Sequence, residues 1–276
     1  MTSCKVDALV ERVTPCAPWA FLHRGCSFHF ELAVETPALQ FCMSSIADNL
    51  DRVREQISSA AAKSGRRPND VKLVAITKTH PAESVREAID AGQSLFGESR
   101  VQEARAKIPE LPSNCRWHFV GHLQKNKIRH ALPLFEMFHG IDSLALAQDI
   151  NRIAEEDGLY PRMLLEVNVA GEGSKFGFAP DALGEQMEAL LALPRLTIEG
   201  LMCIPPLVIE SEDSRKFFVQ VRELRDSLEK KFSLKLPQLS MGMTQDFPIG
   251  IEEGATLVRV GTAIFGERSK KQKATD

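Results

Sequence analysis

From Met43 onward the apolar residues follow two alternating patterns. Ile46, Leu50, Val53, Ile57 and Ala61 recur every three or four residues, the period of one buried helix face. They predict a leading helix over residues 46–64, which Gly65 and Pro68 end. Eight short apolar runs follow, at residues 73–77, 95–97, 117–121, 137–141, 163–168, 198–203, 238–241 and 257–260. Short continuous apolar runs of this kind read as strands buried on both faces. Between them, residues 82–91, 100–108, 144–156, 183–193 and 213–232 carry helical spacing.

Strand–helix alternation implies a parallel sheet. Eight units in about 200 residues predict a closed (β/α)8 barrel, the TIM barrel. The competing architecture is an open doubly wound sheet. Its glycine-rich dinucleotide loop is missing after the first strand, where Lys78-Thr79-His80-Pro81 stands instead. No low-complexity linker divides residues 43–276, so they read as one domain. Residues 1–42 mix Cys, Pro and aromatics without a sustained period and read as a poorly ordered N-terminal extension. Asp7, Glu11, Glu31 and Glu35 oppose an ordinary acid-poor transit peptide. Met43 is a candidate start, and a processed organellar leader is the alternative.

Composition removes several function classes. The formal net charge of -3 offers no electrostatic footprint for nucleic acid or an acidic membrane. No apolar run is long enough to span a bilayer. The six cysteines form no CxxC pair and no zinc-like spacing, so no metal site is expected. Only Cys115 and Cys203 fall after Met43, which fits a reducing compartment and a cytoplasmic protein.

In a parallel barrel the loops after the strand C-termini share one face, where chemistry collects. Lys78 closes the first apolar run. A lysine amine there, stripped of its charge by burial, attacks carbonyls as a Schiff-base nucleophile; a surface lysine opening a loop is the competing reading. Ser240-Met241-Gly242-Met243-Thr244 follows the seventh run, and Arg259-Val260-Gly261-Thr262-Ala263 spans the end of the eighth. Barrels commonly bind phosphate between those two loops. Gly242 and Gly261 permit close backbone approach, Ser240 and Thr262 offer hydroxyls, and Arg259 offers a fixed cation. The competing reading is that each glycine only makes a turn. A lysine and a phosphate cradle in one mouth imply a phosphorylated aldehyde, of which pyridoxal 5′-phosphate (PLP) is the obvious one.

The chain resembles the pyridoxal phosphate homeostasis family. The resemblance rests on Val74-Ala75-Ile76-Thr77-Lys78-Thr79, Phe96-Gly97-Glu98, Val101-Gln102-Glu103, Trp117-His118-Phe119-Val120-Gly121, Leu123-Gln124-Lys125-Asn126-Lys127, Gly200-Leu201-Met202, Ser240-Met241-Gly242-Met243 and residues 258–266. It covers about residues 44–268. The resemblance implies a barrel similar to the N-terminal domain of alanine racemase, with a Schiff base on Lys78. It places the phosphate at Ser240, Gly242, Gly261 and Thr262, and Arg259 at the ring nitrogen or the phosphate. It further implies a monomer that holds PLP as carrier and buffer, passes it to PLP-dependent acceptor enzymes and has no efficient turnover or catalytic residues. One departure is Gly97-Glu98-Ser99-Arg100, where the family has Gly-Glu-Asn-Tyr.

Two other readings compete. An amino-acid racemase-like PLP enzyme needs a tyrosine from a second domain, and Tyr160 precedes the fifth strand, on the face away from Lys78. A phosphosugar-type barrel enzyme would form its imine with substrate. Among the remaining residues, His118 reads as a satisfied interior histidine. Lys125, Lys127, Arg129 and His130 read as a solvated helix face, Lys175 as a loop lysine, and Met202 and Met241 as packing.

Overall fold

The last strand returns to the first. In the computed structural model, which describes residues 45–172 and 176–267, eight parallel strands form a closed barrel in sequence order. They are β1 (Lys72–Ile76), β2 (Leu95–Glu98), β3 (Arg116–Phe119), β4 (Met137–Ile141), β5 (Arg162–Glu166), β6 (Thr197–Met202), β7 (Gln238–Ser240) and β8 (Leu257–Val260). The closing register pairs Lys72 with Leu257, Val74 with Arg259 and Ala75 with Val260. Around the barrel run α1 (Ile46–Lys63), α2 (Ala82–Asp90), α3 (Val101–Lys107), α4 (Ile128–Ala131), α5 (Leu144–Glu156), α6 (Pro180–Leu191), α7 (Arg215–Phe232), α8 (Phe247–Glu252) and α9 (Thr262–Phe265). All described residues lie in one unit, Met43–Asp276. The expectations for residues 1–42, including Cys4, Cys16, Cys26 and Cys42, and for Lys175 lie outside the described residues.

Strand alternation sorts each apolar run into two faces. Val74, Leu95, Met137, Leu164, Met202 and Leu257 pack together inside the barrel, with Ile76 against them. Their neighbours Ala75, Phe96, Phe138, Leu165, Leu201 and Val258 face outward into the larger core shared with the helices. Both faces are buried, which is why the strands read as continuous runs. The N-terminal end of the barrel is closed by charge. Arg116 makes a two-bond pair with Glu136 at 2.6 and 2.7 Å. Arg162 bonds Glu136 at 2.6 Å and Glu199 at 2.5 and 2.7 Å.

Helix α1 opens on a capping box in which Ser45 and Asp48 satisfy each other's backbone N–H groups. It packs along α8 and α9, and Asn49 Nδ2 donates to the Ile264 carbonyl at 2.9 Å. That contact ties the leading helix to α9, beside the site described below.

The elements differ from the pattern-based expectation at a few ends. Strand β5 stops at Glu166 because the chain then turns to meet Phe178: Phe178 N–H donates to Glu166 O at 2.8 Å and Asn168 N–H to Phe178 O at 2.9 Å. Helix α6 starts at Pro180, ahead of the apolar period, since proline's fixed φ suits the first helical turn. After β3 only a 3-10 turn at Lys125–Lys127 and the short α4 form. These lack a full apolar period.

Close packing of β6 on β7 makes a test of the barrel. A Cβ on Gly200 would lie 1.8 Å from the Gln238 carbonyl oxygen, whereas one on Gly184, in α6, meets nothing within 4 Å. Gly200→Ala is expected to destabilise by about 2–3 kcal/mol through overpacking. Thermal denaturation should show a midpoint lowered by roughly 5–10 °C. Gly184→Ala should instead be neutral or stabilising by up to about 1 kcal/mol. Equal midpoints for the two variants would contradict this strand packing.

Candidate cofactor-binding site

Lys78 follows the inward series Lys72, Val74 and Ile76 two residues beyond the end of β1, and it is half-buried. The backbone on either side of it is clamped. Thr77, fully buried, donates its N–H to Gly97 O at 3.0 Å and its hydroxyl to Glu98 Oε1 at 2.5 Å. Thr79 has φ +66°, a left-handed conformation that strains a β-branched residue by about 1–3 kcal/mol. Its N–H donates to Glu103 Oε1 at 2.6 Å. Lys107 reaches in from α3 and donates to Thr77 O at 2.8 Å, Glu98 Oε1 at 2.6 Å and Glu103 Oε1 at 2.7 Å. A lysine ammonium has three donors, and all three are used here. Burial raises the Glu98 carboxyl above its usual range, against the pull of Lys107. The turn that carries Lys78 is therefore held by a buried ionic cluster from β2 and α3.

The β7 and β8 loops meet β1 at the closing seam. Gly242 has φ +93°, and a Cβ there would sit 2.7 Å from Phe247 Cα, so only glycine fits. Met243 N–H donates to Asp246 Oδ1 at 2.7 Å and closes that loop. A Cβ on Gly261 would lie 3.3 Å from both Ile76 O and Ile76 Cβ, which sets the β8 turn against the end of β1. Thr262 is exposed and begins α9. Arg259 is buried; its N–H donates to Gly242 O at 3.0 Å. Its guanidinium donates to Ser240 O at 2.7 Å, Ser240 Oγ at 2.5 Å and Cys203 O at 2.8 Å. Lys78, Gly242, Gly261 and Thr262 thus share one rim, with the Arg259 side chain buried beneath it. Ser240 lies below it: its side chain is fully buried and bonded to Arg259 and to His139 Nδ1 at 2.8 Å. The hydroxyls left near the rim belong to Thr244, half-buried in the β7 loop, and Thr262.

Known proteins are similar to this chain in sequence and fold. The family profile described as alanine racemase, N-terminal domain, matches residues 49–269. The pyridoxal phosphate homeostasis protein of Aquifex aeolicus is 43% identical over 222 residues, covering 80% of this chain and 97% of its own. That of Escherichia coli is 41% identical over 239 residues, covering 84% and 100%. The chain belongs to the pyridoxal phosphate homeostasis protein family. Among solved structures, PipY of Synechococcus elongatus with PLP bound is 39% identical with a TM-score of 0.71, covering 80% of this chain and all of that one. Alanine racemase of Clostridium difficile, at 14% identity, a TM-score of 0.65 and 57% of its own length covered, shares the fold alone.

In this family member the mouth holds further groups that periodicity does not single out. Glu166 ends β5, and burial together with the nearby Asp142 raises its carboxyl, while Arg259 opposes the shift. His122 Nδ1 lies 2.7 Å from Asp142 Oδ2, and Phe176 stacks on the His122 ring at 3.9 Å between centroids. Asp142 directly follows β4; a lone inward carboxylate in an apolar run is the available signal for Glu166. His118 is buried as expected, with Nδ1 2.9 Å from His139 Nε2, but its Nε2 is buried without a hydrogen-bond partner. Among the described residues no group of three or more His, Cys, Asp or Glu side chains is placed to hold a metal.

The two buried histidines predict a pH dependence. Burial lowers His118 from 6.5 to about 4 and His139 well below its usual value. The unfolded chain then binds protons that the folded one refuses. Stability is complete above pH 6.5 and is lost as pH falls toward 4. At pH 5 His118 alone should account for a loss of about 2 kcal/mol, with His139 acting in the same direction. Urea unfolding at pH 7 and pH 5 should show a smaller pH-dependent loss for His118→Gln than for wild type. An equal loss in both proteins would mean that His118 titrates normally.

Proposed function

We propose that this barrel mouth binds PLP, with Lys78 as the amine that holds its aldehyde, and that the protein is a carrier and buffer of the cofactor. The observation that carries the reading is the seam: the turn bearing Lys78 and the glycine turn at Gly261 lie side by side, 3.3 Å separating a would-be Gly261 Cβ from Ile76 O. An amine, a tight glycine cradle and a fixed cation are the parts a phosphorylated aldehyde requires. The bound group supplies a reactive carbonyl and an anion. The PLP in the PipY relative and the name shared by the curated relatives support the same ligand.

Each residue then has a task. Lys78 would hold the aldehyde carbon, from a turn that the Lys107 cluster fixes. Backbone N–H groups at Gly242, Gly261 and Thr262, with the Thr262 hydroxyl, take the phosphate at the start of α9. Ser240 contributes through Arg259, which it anchors. Arg259 faces the ring nitrogen or the phosphate as a permanent cation. At the ring nitrogen it would disfavour a protonated pyridinium and weaken the electron sink that catalysis with this cofactor uses. That supports storage and delivery to PLP-dependent acceptor enzymes over turnover, in a cytoplasmic monomer.

Borohydride reduction of the PLP-loaded protein followed by peptide mapping should place the adduct on Lys78, and Lys78→Ala should abolish it. Stoichiometric trapping on another lysine would refute the assignment. In PLP titrations Thr262→Ala should weaken binding by about 1.5–3 kcal/mol, the worth of one charge-assisted bond. Gly261→Val should weaken it more, because its side chain is forced against Ile76. Unchanged affinity in both variants would reject this phosphate site.

A second reading, a racemase-like enzyme, draws on the His122–Asp142 pair, a proton-transfer group in the same mouth. Tyr160 is 65% exposed and precedes β5, at the end of the barrel away from Lys78. Solvent deuterium exchange at the α-carbon of L- and D-amino acids separates the readings. The carrier predicts negligible exchange, and rapid exchange dependent on Lys78 would favour the enzyme.

A further inference from the structure

We propose that His139 and His118 are positioning residues: a hydrogen-bonded relay that orients the Ser240 hydroxyl and, through it, the Arg259 guanidinium beneath the cofactor. The inference rests on PLP occupying the mouth, but the relay is a property of the ligand-free chain. Four side chains from four strands form one buried line. Arg259 Nη1 lies 2.5 Å from Ser240 Oγ, Ser240 Oγ 2.8 Å from His139 Nδ1, and His139 Nε2 2.9 Å from His118 Nδ1. All four residues are at most 5% exposed.

The donor inventory gives the line a direction. Arginine only donates, so Ser240 Oγ accepts from Arg259. The Ser240 proton is then free to go to His139 Nδ1. His139 must carry its own proton on Nε2 and donate it to His118 Nδ1, and His118 in turn carries its proton on Nε2. This polarity leaves one buried atom unpaired, the His118 Nε2–H, which is the atom found without a partner. The reverse polarity would leave two groups unpaired, a bare His118 Nε2 and the Ser240 proton. Unpaired buried groups are costly, so the first polarity wins.

The surroundings agree with neutral rings. His139 faces His118 and Arg259. His118 faces Lys72 on β1, Arg116 on β3, Glu136 before β4 and Arg162 on β5. Burial and the cations disfavour a further proton on either ring. A neutral relay lets Arg259 keep the only charge on the line. Its hydrogen bonds to Ser240 and Cys203 hold three of its five N–H groups. The guanidinium is thus oriented before any ligand arrives, which lowers the ordering cost of binding.

Nitrogen NMR of ligand-free, full-length protein labelled at histidine reads the relay directly. Both rings should be neutral Nε2–H tautomers at pH 7, and an Nδ1–H tautomer at either would overturn the polarity. His139→Phe removes both nitrogens, His139→Asn restores an acceptor where Nδ1 stood, and Ser240→Ala deletes the intervening hydroxyl with little change of volume. PLP titration should show binding about tenfold weaker for His139→Phe and Ser240→Ala, with recovery in His139→Asn. The pH at which bound PLP changes absorbance should move in the first two variants and return in the third. Wild-type affinity and an unmoved pH profile in Ser240→Ala would overturn the positioning role, even if His139→Phe failed to fold. Loss of the Lys78 adduct in wild-type protein would instead refute the cofactor reading and leave the tautomer result standing.

Discussion

The pairing of β8 with β1 is the contact on which the rest depends. Without it the molecule would be an open sheet with two edges, and Lys78 would stand at an edge far from the last two loops. With it, Val74 lies beside Arg259 and Ala75 beside Val260, and the end of β1 abuts Gly261. Closure therefore does two things with one set of backbone bonds: it buries the interior cluster around Val74 and Leu257, and it brings an amine to a glycine cradle. The glycine at position 261 matches this contact, since a side chain there would press on Ile76.

Two buried polar clusters flank the seam, and each is expensive in isolation. Lys107 lies with Glu98 and Glu103 beside the Lys78 turn, and Arg259 lies with Ser240 and Cys203 beneath the β7 loop. Burying charge is weak evidence for stability, because desolvation offsets much of the attraction. Such clusters do hold geometry. Thr79 is kept left-handed by the first, and the guanidinium is aimed by the second. The first joins neighbouring segments, β1, β2 and α3, whereas the second joins β8 to β7 and to Cys203 after β6. The site's rigidity is thus a consequence of the fold and not of its loops alone.

The opposite side of the mouth is chemically different. Glu166, Asp142 and His122 lie together there, and Arg259 opposes the rise of the Glu166 carboxyl. The carboxylates belong to the β4–β5 side, whereas the buried Arg259 guanidinium, bonded to Ser240 and Cys203, belongs to the β7–β8 side.

The sequence by itself determined the number and order of the strands, the long helices and the face on which chemistry collects, because these follow from local periodicity and from the parallel-barrel rule. It also determined Lys78, Gly242, Gly261 and Thr262 as rim residues, since strand ends were legible to within a residue or two. It did not show that the Ser240 hydroxyl points inward: that follows from side-chain parity on β7 and from the partners His139 and Arg259, which are distant in the chain. His139 sits in an apolar run and carries no local signal; only the register of β3, β4, β7 and β8 lines it up. The Lys107 cluster is local, with Glu103 and Lys107 an i,i+4 pair, and was hidden for a different reason: a lysine at the end of an amphipathic helix ordinarily faces water. Tertiary structure decided which polar groups meet, because a hydrogen bond depends on a fraction of an ångström between residues that sequence spacing leaves unrelated.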